Sequence, residues 1–125
     1  MLPFKNRLTR RKDHEQVQKL GVFVSLNNIA IKFIEQDLKE TRIGIVVGLK
    51  YSKKAVERNQ VKRIIRDIVQ PELKNIKKGV DIVIMARKRE DEKTKSINFK
   101  KNILEALIKG QLINTKEDNS SIKEK

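Results

Sequence analysis

Five residues near the middle of the chain have the types and spacing expected of a phosphate-binding helix face. On a helical wheel that starts at Arg58 and turns about 100° per residue, one side carries the polar residues Arg58, Asn59, Lys62, Arg63 and Arg66. The opposite arc carries Val61, Ile64, Ile65, Ile68 and Val69. Like charges four residues apart repel each other, and no acid separates these cations. Since the arginine fork can bind two phosphate oxygens at once, we predict that this face binds a polyanion.

The charge of the whole chain supports the same prediction. Thirty Lys and Arg residues face sixteen Asp and Glu residues, which gives a formal net charge of +14. A surplus of this size repels itself in a compact fold, and nucleic acid is the partner that most often offsets it. An anionic membrane surface and a charge that serves only solubility are weaker alternatives. The segment 1–12 adds a second cationic stretch, with Lys5, Arg7, Arg10, Arg11 and Lys12 and no acid.

Several other kinds of site are excluded or disfavoured. The chain has no cysteine and one histidine, His14, so we predict no disulfide and no metal site in the protein. Four acids could be imagined as a metal-dependent nuclease cluster: Asp81, Glu90, Asp91 and Glu92. Asp81 belongs to an apolar strand and the others to a charged loop, so we interpret them as ordinary charges and predict no catalytic residue. No signal peptide or membrane-spanning stretch is apparent, which favours a cytoplasmic protein with no membrane partner.

The elements that must position the basic helix follow from hydrophobic patterning. We predict a first helix over 13–20 with Asp13 as its N-cap. A basic helix should follow, capped by Ser52 and running to about Val69, where Gln70-Pro71 ends or kinks it. Strands are predicted at 22–26, 29–34, 42–48 and 80–86, with a turn at Asn27-Asn28 and polar loops at 35–41 and 87–95. A last helix should open at Thr94 or Ser96 and stop at Gly110.

These elements predict an α/β (α+β) two-layer sandwich in which helices cover one face of a small sheet. The chain divides into a basic N-terminal arm at 1–12, a single RNA-binding domain at 13–110, and a polar tail at 111–125. The tail has little to bury, so we predict that it is disordered.

The segment Lys53–Asp67 closely resembles the signature of the bacterial ribonuclease P protein subunit, K-A-V-x-R-N-R-x-K-R-x-x-R-E. The resemblance extends over 6–110: Asn6-Arg7-Leu8 is similar to the family's N-terminal arm, and Arg42-x-Gly44 opens the corresponding strand. The strand from Asp81 to Arg87 is similar to the family's D-x-V-x-x-A-R strand. Such a match at several sites, in order, is far more specific than a lone basic helix.

The resemblance implies a fold with a left-handed β-α-β crossover and a role in a holoenzyme that cleaves precursor tRNA. A catalytic RNA and Mg²⁺, bound mainly by that RNA, carry out the hydrolysis, and the protein binds the RNA and the 5′ leader of the precursor. No further protein partner is implied. Carried over to this chain, the RNA-binding residues are Arg58, Asn59, Lys62, Arg63 and Arg66, together with Lys53, Lys54, Arg7, Arg10 and Arg11.

The chain departs from the family pattern at four positions. Gln60 stands where the signature has its second arginine, and His14, Gln18 and Lys32 stand where relatives often have aromatic residues. We predict that these last three residues contact the leader. The contact should be chiefly electrostatic, through Lys32, His14 and the cationic arm.

The main alternative is another non-catalytic RNA-binding module, such as a ribosomal protein or an RNA chaperone. Copurified RNA distinguishes the two: ribosomal RNA favours the alternative, and a single structured RNA of moderate length favours the first interpretation. A membrane-surface helix is a weaker alternative, because the apolar face of the basic helix is needed for the core and carries no tryptophan.

Overall fold

The part of the chain that the structure describes folds into four strands and three main helices. The computed structural model describes residues 3–26, 28–36, 39–86 and 99–113. The elements are α1 (Arg11–Leu20), β1 (Val22–Leu26), β2 (Ile29–Glu35), β3 (Arg42–Val46), α2 (Ala55–Val69), β4 (Val80–Ala86) and α3 (Phe99–Lys109). Short 3-10 turns cover Phe4–Asn6 and Gln70–Asn75. Within the described ranges, no helix has the length and apolar character needed to cross a membrane.

The strands form one mixed sheet in the order β1-β2-β4-β3. Strands β1 and β2 form an antiparallel hairpin in which Leu26 pairs with Ile29, and the predicted Asn27-Asn28 turn includes Asn27, which lies outside the described residues. Strand β4 runs antiparallel to β2 and parallel to β3. Helix α2 therefore lies in a β-α-β connection between two adjacent parallel strands, as the resemblance implies, while its left-handedness stays a prediction.

The sheet is covered on both faces, which adds a layer to the predicted arrangement. Ile82 and Ile84 of β4 pack into the main core with residues of α2 and α3. Val83, which lies between them in β4, packs with Leu8 of the N-terminal arm and with Val17 of α1. Successive side chains of a strand point to opposite faces, so α1 lies opposite the other two helices. Both layers are needed because β4 has apolar residues on both of its faces, and each face is buried by helices.

The observed ends of the helices correct two predicted caps. Helix α1 begins at Arg11 with Arg10 as its N-cap, so Asp13 is not the cap and lies in the first turn. Helix α2 begins at Ala55 with Lys54 as its N-cap, and Ser52 lies two residues earlier. Its predicted end is confirmed, because α2 stops at Val69 and the chain continues as a 3-10 turn.

The two predicted flanking segments are more tied to the core than their composition indicates. In the N-terminal arm, Leu8 is buried and its N–H donates to the carbonyl of Ile43 at 3.0 Å. At the other end, Leu112 is buried and Ile113 forms a β-bridge with Ile76, so the predicted tail cannot begin at 111. The predicted loop 87–95, the predicted start of α3 at Thr94 or Ser96, and residues 114–125 lie outside the described residues.

Candidate RNA-binding surface

Helix α2 divides into an apolar side and a cationic side as the helical wheel predicts. Val61, Ile65 and Val69 are buried, and Ile64 and Ile68 pack against the same core. On the other side, Arg58, Lys62 and Arg66 are half-buried and Asn59 and Arg63 are exposed. Half-buried stems leave the charged groups at the surface, since long cationic side chains can cover apolar surface and still reach water.

The start of α2 is held by hydrogen bonds between Ser52, which precedes the helix, and residues at its beginning. Ser52 Oγ accepts the backbone N–H of Lys54 at 3.1 Å and donates to Glu57 Oε1 at 2.6 Å. Arg58 Nη1 donates to the Ser52 carbonyl at 3.0 Å. Arg58 therefore helps to shape the loop before α2 while its remaining donors stay available. Lys53 and Lys54 are exposed beside it.

The cations farther along α2 lack a neutralising partner in the part of the chain that the structure describes. Within the described residues, the side chains of Lys62, Arg63 and Arg66 make no hydrogen bond or ion pair. Lys62 and Arg66 are four residues apart, so their repulsion is not offset internally. An anionic ligand would offset it, and this arrangement is the electrostatic footprint expected of a nucleic-acid interface.

The N-terminal arm and α2 together form a cleft along the outer edge of β3, where the arm pairs with the strand. The cleft has a volume of about 290 Å³ and is lined by Arg7, Leu8, Thr9, Ile43, Gly44, Ile45, Lys62 and Arg66. It brings Arg7 of the arm, which forms a β-bridge with Ile43, to the same surface as the α2 cations. The Thr9 hydroxyl and the Gly44 backbone were not predicted from the sequence, because only the folded edge of β3 brings them there. Arg10 and Arg11 lie nearby at the start of α1, exposed, and Arg11 pairs with Glu15 at 3.3 Å.

The three predicted leader contacts meet around α1, and each of them also has a partner within the protein. His14 Nε2 lies 2.7 Å from the Leu8 carbonyl, which can only accept, so Nε2 carries a proton and ties the arm to α1. Lys32 Nζ donates to the carbonyl of Gln18 at 2.8 Å, in the last turn of α1. Gln18 is exposed, and its amide lies 3.9 Å from Met85 Sδ. His14 and Gln18 also line a shallow depression on the outer side of α1.

Gly44 is required by the close packing of α1 on the sheet. A Cβ atom at this position would lie 2.5 Å from His14 Cε1 and 3.4 Å from Leu8 Cβ. Such a distance to the imidazole ring is too short for any side chain, so the ring would have to move. Gly44 thus allows α1 and the arm to approach β3 and form one wall of the cleft.

A buried ion pair fixes the end of the sheet beneath α1. Arg42 donates from Nε and Nη2 to the two carboxylate oxygens of Asp81 at 2.8 and 2.7 Å, and from Nη1 to Asp13 at 3.2 Å. Asp81 is fully buried and also accepts from the amide of Gln36 at 3.1 Å. The hydrogen bond with Asp81, together with the charges of both acids, raises the pKa of Arg42 above its usual value although burial opposes the change. The sequence places Asp81 in an apolar strand but gives no sign of its partner.

Comparison with known proteins gives consistent matches. The family model described as Ribonuclease P matches residues 2–109. A protein of Pseudanabaena named "Ribonuclease P protein component" is 41% identical over 85 residues, which cover 67% of this chain and 73% of that protein. The structure of the RNase P protein from Thermotoga maritima superposes with a TM-score of 0.72 at 31% identity, covering 82% of this chain and 96% of that chain. The RNase P protein from Staphylococcus aureus gives a TM-score of 0.76 at 25% identity, covering 93% and 98%.

Proposed function

The chain belongs to the ribonuclease P protein family, and we propose that it uses the α2 cations and the arm cleft to bind the catalytic RNA. Its function is that of the protein component of the ribonuclease P holoenzyme, an endoribonuclease that processes tRNA. The family assignment favours this function over that of a ribosomal protein or an RNA chaperone.

One observation carries the proposed binding site: Lys62 and Arg66, which have no ion pair with any residue that the structure describes, line a cleft whose other side is the arm with Arg7. Two phosphates that approach this edge from either side would meet cations from two separate elements. The remaining proposed contacts extend the surface at both ends: Lys53, Lys54, Arg58, Asn59 and Arg63 on α2, and Arg10 and Arg11 on α1. Phosphate contacts of this kind fix the position and orientation of an RNA without reading its sequence.

In the proposed function, the catalytic RNA and Mg²⁺ carry out the hydrolysis. Mg²⁺ prefers oxygen ligands and retains several waters, a coordination that RNA phosphates can supply. In the described part of the chain, no three His, Cys, Asp or Glu side chains come together to hold a metal ion, so these residues do not fit a protein-held site. The protein would supply affinity and position, through its cations, to both the catalytic RNA and the precursor. We propose a cytoplasmic location for the complex.

Reconstitution tests this function directly. The full chain would be mixed with a bacterial ribonuclease P RNA and a precursor tRNA labelled at its 5′ end, with Mg²⁺ present. We expect the protein to stimulate a single cleavage that releases the leader from the mature tRNA, and to bind the catalytic RNA with an affinity that falls steeply as salt rises. If the protein neither binds the RNA nor stimulates cleavage, the proposed function is wrong.

A further inference from the structure

The N-terminal arm pairs briefly with the outer edge of β3 and then leaves the strand. The N–H of Leu8 donates to the carbonyl of Ile43 at 3.0 Å, and Arg7 forms a parallel bridge with Ile43. If this parallel pairing continued, the carbonyl of Leu8 would accept the N–H of Ile45. That bond is absent, and within the described residues the N–H of Ile45 makes no backbone hydrogen bond to the arm.

His14 binds the carbonyl that would have continued this pairing. Its Nε2 lies 2.7 Å from the oxygen of Leu8. The imidazole reaches that oxygen because residue 44 is glycine, since a Cβ atom there would lie 2.5 Å from Cε1 of the ring. A hydrocarbon ring at position 14 would have no N–H to donate. The histidine of this chain therefore holds the Leu8 carbonyl on the α1 side and leaves the edge of β3 open at Ile45.

The backbone of Ile45 consequently presents both a donor and an acceptor to the cleft. Alternate residues of a parallel strand direct their N–H and C=O groups to the same edge, so Ile45 points as Ile43 does, away from β4. Ile45 is half-buried and lines the cleft together with Thr9. Thr9 is exposed, and its hydroxyl has no hydrogen bond to any residue that the structure describes. Three polar groups therefore meet a ligand of the cleft without a competing partner among the described residues.

A ribose 2′-hydroxyl matches these groups better than a phosphate does. The cations of the cleft, Arg7, Lys62 and Arg66, attract the phosphates of a strand to this edge of the sheet. A phosphate oxygen accepts hydrogen bonds but cannot donate one, so it would leave the carbonyl of Ile45 unpaired. A 2′-hydroxyl can accept from the N–H and donate to the carbonyl, and it is the group that distinguishes RNA from DNA.

We propose that the backbone of Ile45 and the hydroxyl of Thr9 bind a ribose 2′-hydroxyl of the catalytic RNA, and that His14 keeps this subsite open. His14 is a positioning residue here, because it acts through the carbonyl of the arm. The inference rests on the proposed function, since it names the group that the cleft recognises. The cations of the cleft hold phosphates of any nucleic acid, and the edge of β3 selects ribose over deoxyribose.

The first experiment maps 2′-deoxy interference in a bacterial ribonuclease P RNA. Transcripts that carry a 2′-deoxy phosphorothioate at random positions would be partitioned by the full chain into bound and free fractions and then cleaved with iodine. Transcripts with a phosphorothioate alone serve as the control. At one position in contact with the cleft, loss of the 2′-hydroxyl should weaken binding roughly 2- to 12-fold, the effect of one neutral hydrogen bond. A phosphorothioate alone at that position should have no effect.

Five variants connect that position with the proposed subsite. H14F cannot bind the Leu8 carbonyl, which can then pair with Ile45, so the 2′-deoxy signal should disappear. H14Q can place an N–H donor near the position of Nε2 and should retain the signal. T9V should reduce the signal, and T9S, which keeps the hydroxyl, should not. R63A is the control for weaker binding in general, because it should lower the affinity and leave the 2′-deoxy signal in place.

A second experiment observes the Ile45 amide itself. Hydrogen exchange of the full chain, followed by NMR, reports whether this N–H is engaged in a hydrogen bond. We expect rapid exchange at Ile45 in the wild-type protein and in T9V. In H14F the same N–H should become protected, because the released Leu8 carbonyl can accept it.

These experiments separate the inference from the proposed function. If the wild-type protein binds the catalytic RNA and stimulates precursor cleavage, the proposed function stands. The ribose subsite is then refuted if no 2′-deoxy position interferes, or if a phosphorothioate alone interferes equally at that position. A signal that persists in both H14F and T9V would refute it too, as would a protected Ile45 amide in the wild-type protein. Should H14F fail to fold, the comparison of T9V with T9S decides.

Discussion

Replacing Arg63 with alanine tests the cationic face of α2 most cleanly. The side chain is exposed and has no partner among the described residues, so its removal breaks no contact that stabilises the fold. If Arg63 contacts a phosphate of the catalytic RNA, binding of R63A should release about one counterion fewer than binding of the wild-type protein. The slope of log affinity against log salt should then become shallower by roughly 0.7–0.9, the values for single strands and B-DNA. Over a fourfold rise in salt, the wild-type protein should therefore lose about threefold more affinity than R63A.

The assay is a filter-binding or fluorescence titration of the catalytic RNA at several salt concentrations, with a thermal melt of each protein. Lys101 on α3 supplies the matched control, because K101A lowers the net charge by the same amount while leaving α2 intact. R63K should keep the slope but bind more weakly, since lysine cannot make the two-pronged contact. If R63A folds normally and keeps the wild-type slope, or if K101A changes the slope equally, Arg63 does not contact the RNA.

Three substitutions test the structural framework of the site. I65A should destabilise the fold by roughly 2–5 kcal/mol in a urea melt, because Ile65 is fully buried. R66A should change the melt only slightly, through the lost packing of its stem, and should weaken RNA binding; an unfolded R66A would make the cationic face structural. R42M should cost about 3–5 kcal/mol in the same melt, because it leaves the buried Asp81 carboxylate without its cation, and a loss below about 1 kcal/mol would contradict that role. G44A should cost about 1–3 kcal/mol in a thermal melt by displacing the imidazole of α1, and unchanged stability would refute the tight packing at this point.

The local elements were predictable because their signals are local. The strands β1 and β4 match their predicted bounds, and the wheel of α2 correctly separates its buried isoleucines and valines from its cations. The order of the strands was not predictable in the same way, because nothing in β2 or β4 taken alone says that they are neighbours. The position of α1 also depends on that order, because the apolar side of α1 packs against β4 only when β4 lies inside the sheet.

In the candidate site, too, local patterns were predictable and long-range contacts were not. The cations of α2 were found from spacing alone, but the cleft was not, because it requires the arm to pair with β3 at Arg7 and Leu8. Asp13 illustrates the error that local reasoning makes: it has the residue type of an N-cap, yet it binds Arg42, a residue 29 positions away.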